Sequence, residues 1–275
     1  MLMTPGDAND DGNNIDWSRA SVDYARFRPG FPPSFFERLE EFGIGQRCVR
    51  GKSGQLSQRI LDLGTGTGAL AREFARRGLE VTGVDIAEGQ IEQARNLARA
   101  ENLEIDFICA PAEKTGLPDS SFDIVSAGQC WQYFDKRLIA AEIKRMLTDD
   151  GKLLICHFCW LPRQDRVARK TEELIIRFNP QWSAGDWDGE PPVFPDDTTA
   201  NFKLMGKFVY DEEIPFTRES WRGRIRACRG VAVTLPPDKA LEFDSEHTRL
   251  LEKIADTEFT VLHRIDAHIL EFKKS

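Results

Sequence analysis

The chain has 275 residues, of which 41% are hydrophobic and 30% charged, and its formal net charge is −8. This composition is typical of a globular protein and excludes collagen-like, coiled-coil and wholly disordered chains. The negative charge argues against nucleic acid as a partner, and the longest uncharged stretch, Ile124–Phe134 with 11 residues, is shorter than the roughly 20 residues of a membrane span.

The chain begins with a polar segment. Four aspartates and no lysine or arginine precede Arg19, a pattern that predicts neither a secretory signal nor a transit peptide, so the expected compartment is the cytoplasm. Because residues 1–18 carry little apolar surface, they are predicted to form a flexible acidic tail. Residues 19–58 are predicted to be a helical cap segment, with one helix that starts near Pro33 and ends at Gly43.

Residues 59–160 alternate between short apolar runs and longer amphipathic stretches. The predicted strands are 60–63, 79–84, 105–109, 122–127 and 152–158, and the predicted helices between them are 68–77, 87–100 and 136–147. Short β-branched runs separated by helices are typical of βαβ units, which build a parallel sheet covered on both faces. The predicted fold class is therefore doubly wound α/β, with 59–160 as the cofactor-binding core.

The alternation ends after Cys159, and residues 161–255 are predicted to be an insertion. It holds predicted helices over 164–178, 217–230 and 245–255, a strand over 208–216, and a loop over 179–201. A loop of that length is typical of a lid. The C-terminal segment 256–275 contains a last predicted strand over 260–272, which completes the sheet.

The six cysteines are scattered along the chain, as expected for reduced thiols. Cys156 and Cys159 form a C-x-x-C spacing, but they fall within the apolar run Leu153–Leu161. This context favours a buried strand over a metal or redox site. No metal site is predicted.

A glycine-rich turn, Asp62-Leu-Gly64-Thr-Gly66-Thr-Gly68, joins the first strand to the first helix of the core. Glycines there let the chain turn tightly and let a ligand approach the main chain. Gly64-x-Gly66-x-x-Ala69 also matches the dinucleotide pattern, so the turn alone does not choose the cofactor.

Two carboxylates bear on the choice of cofactor. Asp62 lies just before the first glycine, where it is placed to receive the ammonium group of an amino-acid moiety rather than a pyrophosphate. Asp85 ends the second strand, 21 residues after Gly64, where a carboxylate can accept both ribose hydroxyls of an adenosine. It suits NAD and an adenosyl sulfonium equally. The structural alternatives are a capped turn for Asp62 and a helix N-cap for Asp85.

Four motifs in order resemble those of the class I S-adenosylmethionine-dependent methyltransferases, over about residues 20–160: Asp62–Gly68, Val84-Asp85-Ile86, Ala112–Asp123 and Leu147–Leu153. Tyr24–Pro32 and Gln129–Asp135 further resemble the branch that includes the trans-aconitate methyltransferases and methyltransferase type 11. The resemblance implies a Rossmann-like, mostly parallel seven-stranded sheet with a helical cap or insertion. It also implies S-adenosylmethionine as cofactor and S-adenosylhomocysteine as product.

The resemblance assigns cofactor contacts residue by residue. It implies that the methionine portion is lined by Gly64, Thr65, Gly66 and Gly68, and that Asp85 and Ile86 hold ribose and adenine. The other implied cofactor residues are Gln90, Ala112 and Glu113, with the last two beside the adenine, and Gln129, whose backbone lies near the sulfonium. Tyr24 is expected to shield the sulfonium, and Arg28 to reach the methionine carboxylate, when the segment before the first strand closes over the cofactor. The alternative is a Tyr24 that only packs and an Arg28 at the surface.

The chain departs from the family pattern at two places. Ala110-Pro111 stands where relatives often have Gly-Asp, so backbone or Glu113 must replace the usual carboxylate at the adenine. Gln132 stands where the family often has histidine, so no general base is carried over and the catalytic residues are not assigned. A structural role is favoured for all four histidines, which are His157, His247, His263 and His268.

The acceptor is expected to be a small molecule. A missing base favours a carboxylate acceptor, since a carboxylate is already deprotonated. One face of the predicted helix 217–230 carries three arginines at i, i+4 and i+7, which are Arg222, Arg226 and Arg229. An anionic acceptor could compensate the repulsion between their charges. The alternative is a solvated face on which these arginines pair with Asp and Glu of the chain. Trp131 and Tyr133 are expected to form an apolar surface that excludes water around the methyl group, and the alternative is that they pack in the core.

The predicted function is methyl transfer from S-adenosylmethionine to a small molecule, with neither nucleic acid nor a membrane as partner. An NAD(P)-dependent oxidoreductase is the second interpretation, although the chain lacks a Tyr-x-x-x-Lys hydride-transfer set. A non-catalytic cofactor-binding protein is the third. A nucleic-acid or protein methyltransferase is disfavoured by the acidic charge and the lack of an Asn-Pro-Pro-Tyr type motif. The identity of the acceptor and the oligomeric state are not predicted.

Overall fold

The computed structural model describes residues 21–46, 57–182, 185, 187–191 and 201–273. The predicted tail 1–18 lies outside the described residues, as do parts of the cap segment and most of the predicted lid loop. In the described part of the chain, no helix is both long enough and apolar enough to span a bilayer.

Seven strands form one sheet in the order β3-β2-β1-β4-β5-β7-β6. They are β1 Arg59–Leu63, β2 Glu80–Asp85, β3 Asp106–Cys109, β4 Phe122–Gly128, β5 Leu147–Trp160, β6 Phe202–Thr217 and β7 Glu258–Phe272. The pairs β1–β2, β1–β4, β2–β3 and β4–β5 are parallel. The doubly wound, mostly parallel α/β fold is thereby confirmed.

Eight α-helices are described: α1 Ser21–Phe27, α2 Pro33–Glu41, α3 Ala69–Arg76, α4 Glu88–Ala100, α5 Lys136–Met146, α6 Arg166–Phe178, α7 Arg218–Arg226 and α8 Pro237–Ile254. The core helices agree with the sequence pattern within two residues. Helix α7 is shorter than predicted: it ends at Arg226, and a π-helical turn, Arg229–Val233, follows. Strands β5 and β6 begin five and six residues earlier than the sequence indicated.

The chain divides into two compact units. The α/β unit comprises the described parts of 30–157, 193–208 and 266–275, and the helical unit comprises those of 1–29, 158–192 and 209–265. The division therefore falls inside the predicted cap segment, at Gly30. Strands β5, β6 and β7 each run from one unit into the other.

The core of the α/β unit explains why its central strands read as continuous apolar runs. Strand β5 is buried over Leu153–Cys156, and one face of β1, β4 and β5 packs against Ile139, Ile143 and Met146 of α5. Burial on both faces is the condition that parallel strands need. The cap helix α2 inserts Phe35 and Phe36, and the Phe36 ring packs edge-on against Phe74 of α3 at 5.5 Å.

The helical unit is built around buried aromatic side chains. Trp221 of α7 is fully buried and packs edge-on against Trp160 at 5.7 Å and Phe216 at 4.9 Å. The buried carboxylate of Glu172 accepts hydrogen bonds from the indole N–H groups of Trp160 and Trp182. These bonds satisfy a group that would otherwise be costly to bury.

Helix α1 packs on α7 in the same unit. Gly223 makes this contact possible, because a Cβ at that position would lie 2.1 Å from the Phe27 ring. Asp23 accepts two hydrogen bonds from Arg226, at 2.8 and 3.0 Å. The sequence analysis predicted a helical cap over this segment but did not delimit this helix.

Candidate cofactor and acceptor site

The turn between β1 and α3 has the conformation that its glycines predict. Gly64 and Gly66 adopt φ angles of 61° and 57°, in the left-handed region that favours glycine. A Cβ at Gly64 would also lie 2.8 Å from both Cβ and Sγ of Cys130. The turn therefore lies at the carboxyl edge of the sheet, against the residues that follow β4.

Asp62 anchors this turn. Its carboxylate accepts hydrogen bonds from the hydroxyls of Thr65 and Ser126, both at 2.7 Å, and the residue is 2% exposed. Burial raises the pKa of the carboxyl to about 6, although the two hydroxyls lower it in part. These contacts match the capped-turn alternative. The expected contact between Asp62 and an ammonium group stays a prediction.

Asp85 and Ile86 lie at the end of β2, beside the same turn. Asp85 Oδ2 accepts a hydrogen bond from the Gly66 N–H at 2.9 Å, and Oδ1 accepts one from the Ala87 N–H at 2.9 Å. Burial raises the pKa of Asp85, and the backbone donors at Ala87 and Gly66 counter part of this rise. Ile86 is 69% exposed, which is unusual for a large apolar side chain at the end of a core strand.

Gln90 and the two residues expected beside the adenine, Ala112 and Glu113, are largely engaged in structure. Gln90 and Ala112 are 4% and 8% exposed. The Glu113 carboxylate, which was expected to replace the missing acidic side chain, accepts a hydrogen bond from the Asp135 N–H at 3.0 Å. This bond ties the loop after β3 to the start of α5, so any role of Glu113 toward an adenine would be additional to it.

The segment after β4 turns sharply at Gln129, which has a φ of 60° although it is not glycine. Its N–H donates to the Cys156 carbonyl at 2.9 Å, and its carbonyl accepts from Gln132 Nε2 at 3.1 Å. Gln132, which replaces the histidine of related sequences, thus fixes the backbone that was expected to lie near the sulfonium. Such strained positions often mark functional sites.

The two aromatic residues predicted to wall the methyl have different environments. Trp131 is 3% exposed and belongs to the apolar cluster that α5 forms with β4 and β5. The core-packing alternative therefore describes its side chain. Tyr133 is 40% exposed at the same edge, and its contact with an acceptor stays a prediction.

The remaining predicted site residues lie in the helical unit. Tyr24 lies in α1 with its side chain outside the described part of the structure, and Arg28 follows α1 directly. Their expected contacts with the cofactor stay predictions.

The arginine stripe is paired within the chain. Asp244 of α8 accepts from Arg222 at 2.6 Å and from Arg226 at 3.2 Å, and Asp23 also binds Arg226. Burial tends to raise the pKa of Asp244, but the hydrogen bonds from Arg222 and Arg226 lower it overall. Arg229 lies beyond the end of α7, and its guanidinium lies over the Trp182 ring. The alternative of pairing with Asp and Glu describes Arg222 and Arg226, whose role toward an acceptor stays a prediction.

One polar cluster was not predicted as a site. His157 Nδ1, on β5, lies 3.0 Å from Asp266 Oδ1 on β7, and His268 Nδ1 lies 3.5 Å from the same oxygen. Asp266 is fully buried. The pair is 109 residues apart in sequence, so no local spacing signals it; only a prediction that β7 lies beside β5 could have done so.

Comparison with known proteins bears on the class of site. A family model described as a methyltransferase domain matches residues 61–155. An uncharacterized methyltransferase of Mycobacterium tuberculosis is 30% identical over 60% of this chain and 60% of its own length. A ubiquinone biosynthesis O-methyltransferase of Ruegeria pomeroyi is 31% identical over 61% of this chain and 67% of its own.

Among solved structures, a putative type II methyltransferase from Anaeromyxobacter dehalogenans has a TM-score of 0.57 at 22% identity, over 88% of this chain and 97% of its own. It supports the fold. The chain spans only about 60% of the length of the first curated relatives that it matches. These matches do not distinguish the trans-aconitate branch, and they give no support to the oxidoreductase interpretation. The sequence motifs, the fold and these relatives together establish that the chain belongs to the class I S-adenosylmethionine-dependent methyltransferases.

Proposed function

We propose that this protein transfers the methyl group of S-adenosylmethionine to a small-molecule acceptor. The observation that carries the proposal is the group formed by the glycine turn, Asp85 and Ile86 at the carboxyl edge of β1 and β2. Ligands of open α/β sheets bind at this edge.

The side chains present fit this cofactor. Asp85 offers carboxylate oxygens suited to ribose hydroxyls, while the exposed Ile86 offers an apolar surface suited to one face of an adenine. The turn at Gly64 and Gly66 brings main chain, rather than side chains, to the surface where a methionine moiety would lie. We further propose that Tyr24 and Arg28 cover this moiety from the segment before the first strand.

When bound, the cofactor supplies a methyl group on a positively charged sulfur. The protein must align the acceptor with that methyl and exclude water, which can contribute on the order of 7 to 11 kcal/mol to the barrier reduction. Gln132 holds the Gln129 carbonyl at the end of β4. In our proposal this fixed carbonyl orients the methyl, and Tyr133 contacts the acceptor.

Two chemical classes of acceptor, carboxylates and hydroxyl compounds, are considered. A carboxylate acceptor is supported by Gln132, which offers no base, but Arg222 and Arg226 already have carboxylate partners in Asp23 and Asp244. The name of the Ruegeria pomeroyi relative, a ubiquinone biosynthesis O-methyltransferase, supports an oxygen acceptor, which can be a hydroxyl or a carboxylate oxygen. Both classes are small molecules, in keeping with the acidic charge of the chain.

Calorimetric titration with S-adenosylmethionine tests the cofactor assignment. We expect wild type to bind it and not NADH, and Asp85→Ala to weaken binding at least tenfold, because a charge-assisted hydrogen bond contributes about 1.5 to 3 kcal/mol. Asp106→Ala, an exposed aspartate at the opposite end of the neighbouring strand β3, is the matched control. Thermal melting shows that each variant is folded.

Equal affinity of Asp85→Ala and wild type would refute the ribose assignment, and binding of NADH alone would refute the proposed function. Formation of S-adenosylhomocysteine with catechol or citrate then distinguishes the acceptor classes. A protein that binds the cofactor but forms no product with any acceptor in a broad screen would instead be the non-catalytic alternative.

A further inference from the structure

His157 on β5 and the buried Asp266 on β7 form a pair, of which the sequence analysis considered only His157 and favoured a structural role for it. The hydrogen bond between His157 Nδ1 and Asp266 Oδ1, at 3.0 Å, is within the α/β unit. A carboxylate that engages Nδ1 fixes the ring orientation and favours the tautomer whose proton is on Nδ1. The other ring nitrogen, Nε2, then carries a lone pair on the side of the ring away from Asp266.

Asp266 is suited to this task because it stays charged. Burial alone would raise its pKa, but the hydrogen bond from His157 and the nearby ring of His268 lower the pKa overall. Its exposure is 0%, so the position of the carboxylate is set by packing and by these two rings.

The position of His157 in the sheet places it at the edge where the cofactor residues lie. Cys156 is the partner of Gly128 in the β4–β5 register, and its carbonyl accepts the N–H of the strained residue Gln129. His157 is the next residue. Along β5 it alternates with the buried Cys156, so it shares the face of Leu153 and Ile155, which pack on α5.

Burial also distinguishes this histidine from two of the others. His247 and His263 have exposures of 0% and 1%, and burial lowers their pKa values to about 4 and about 3. The side chain of His157 retains 12% exposure. Solvent therefore reaches the His157 side chain at the carboxyl edge of the sheet, while its partner Asp266 is fully buried.

From this arrangement we infer that His157 is the general base of methyl transfer to a hydroxyl-bearing acceptor and that Asp266 is its positioning residue; the inference rests on the proposed function. His157 Nε2 takes the hydroxyl proton while the acceptor oxygen bonds to the methyl carbon. The carbon–sulfur bond breaks with its electron pair left on sulfur, and the imidazolium later returns the proton to water. The acceptor class is thus a phenol or alcohol, which needs such a base at neutral pH.

The titratable groups that face the pair lie on β5 and β7. His268 lies beside Asp266 on β7. Burial raises the pKa of the Cys156 thiol on β5, and the carboxylates of Asp62 and Asp266 raise it further.

The first test uses nitrogen NMR of histidine-labelled protein and needs no acceptor. With S-adenosylhomocysteine bound at neutral pH, we expect the His157 ring to carry its proton on Nδ1 and to have an unprotonated Nε2. Asp266→Asn should change this tautomer balance. A ring that carries its proton on Nε2 in wild type would overturn the inference.

The second test measures turnover. His157→Asn keeps a donor for Asp266 but removes Nε2, and we expect the methylation rate of catechol and 3,4-dihydroxybenzoate to fall about 10²- to 10⁴-fold, with cofactor affinity within twofold of wild type. Asp266→Asn should lower the rate less and should shift the acidic limb of its pH profile. Asp106→Asn, at an exposed position at the start of β3, is the control, with a rate close to that of wild type.

An unchanged rate for His157→Asn, or turnover of citrate that is indifferent to the substitution, would also overturn the inference. A wild type that binds S-adenosylmethionine but methylates neither phenol would count against the hydroxyl acceptor, while failure to bind the cofactor would count against the proposed function itself.

Discussion

Asp62 gives the α/β unit a pH-dependent stability that one substitution should remove. Its carboxyl is 2% exposed, and burial raises its pKa from 3.8 to about 6. Because the folded protein then binds this proton more tightly than the unfolded chain does, the contribution of Asp62 to stability is greatest at low pH and falls as pH rises from about 4 through 6. Asp62→Asn has no such titration.

The size of the effect follows from the shift. A rise from 3.8 to about 6 is about two pKa units, and at 1.36 kcal/mol per unit the limiting difference is about 3 kcal/mol. Over the practical range from pH 4 to pH 7, about 2 kcal/mol of this is realised, because some Asp62 side chains in the unfolded state are protonated at pH 4. We therefore compare the free energy of unfolding of Asp62→Asn with that of wild type. We expect this difference to favour the variant by about 2 kcal/mol more at pH 7 than at pH 4.

Urea unfolding of wild type and Asp62→Asn at half-unit pH intervals measures this difference. The other carboxyl groups titrate in both proteins and cancel, and Asp106→Asn, at an exposed position, controls for the loss of one negative charge. A difference in the free energy of unfolding that stays within about 0.5 kcal/mol between pH 4 and pH 7 would show that Asp62 is not held in a desolvated site.

Two further substitutions test the packing of the site and of the helical unit. Gly64→Ala should lower the free energy of unfolding by more than 2 kcal/mol, because it adds a steric clash with Cys130 to the roughly 1 to 2 kcal/mol cost of a left-handed alanine. Gly116→Ala is the control, because Gly116 has a φ of 73° and open space around it. In the same urea experiment it should show the backbone cost alone. A double-mutant cycle of Asp23→Ala and Arg226→Ala should give a coupling energy of about 1 kcal/mol, larger than that of the exposed Arg26–Glu219 pair. Equal coupling energies for the two pairs would contradict the role of Asp23 in holding α1.

The parts of the molecule that could be predicted from sequence are those specified by local chemistry. The turn from Asp62 to Gly68 needs left-handed backbone at three glycines, and the Thr217 cap of α7 forms the hydrogen bond to the Ser220 N–H that its position indicates. Each of these depends on residues within a few positions of one another. Doubly wound topology followed from the same local alternation of strands and helices.

What could not be predicted depends on tertiary contacts. The helical pattern after Thr217 does not reveal that α7 ends at Arg226, because Arg229 and Gly230 are drawn into contacts with Trp182. Trp131 follows a strand at the ligand edge, yet α5 covers it, which a single sequence does not indicate. The His157–Asp266 pair requires that β7 return to lie beside β5.

The placement of the tryptophans makes the two units spectroscopically separable. Trp160, Trp182, Trp187 and Trp221 all belong to the helical unit, whereas Trp131 is the one tryptophan within the described residues of the α/β unit. Two of the indoles in the helical unit donate to the same carboxylate, that of Glu172, so their emission should respond strongly to any loosening of that contact. Fluorescence of the wild type would then report mainly on the helical unit, and the difference between wild type and Trp131→Phe would isolate the signal of the unit that carries the glycine turn.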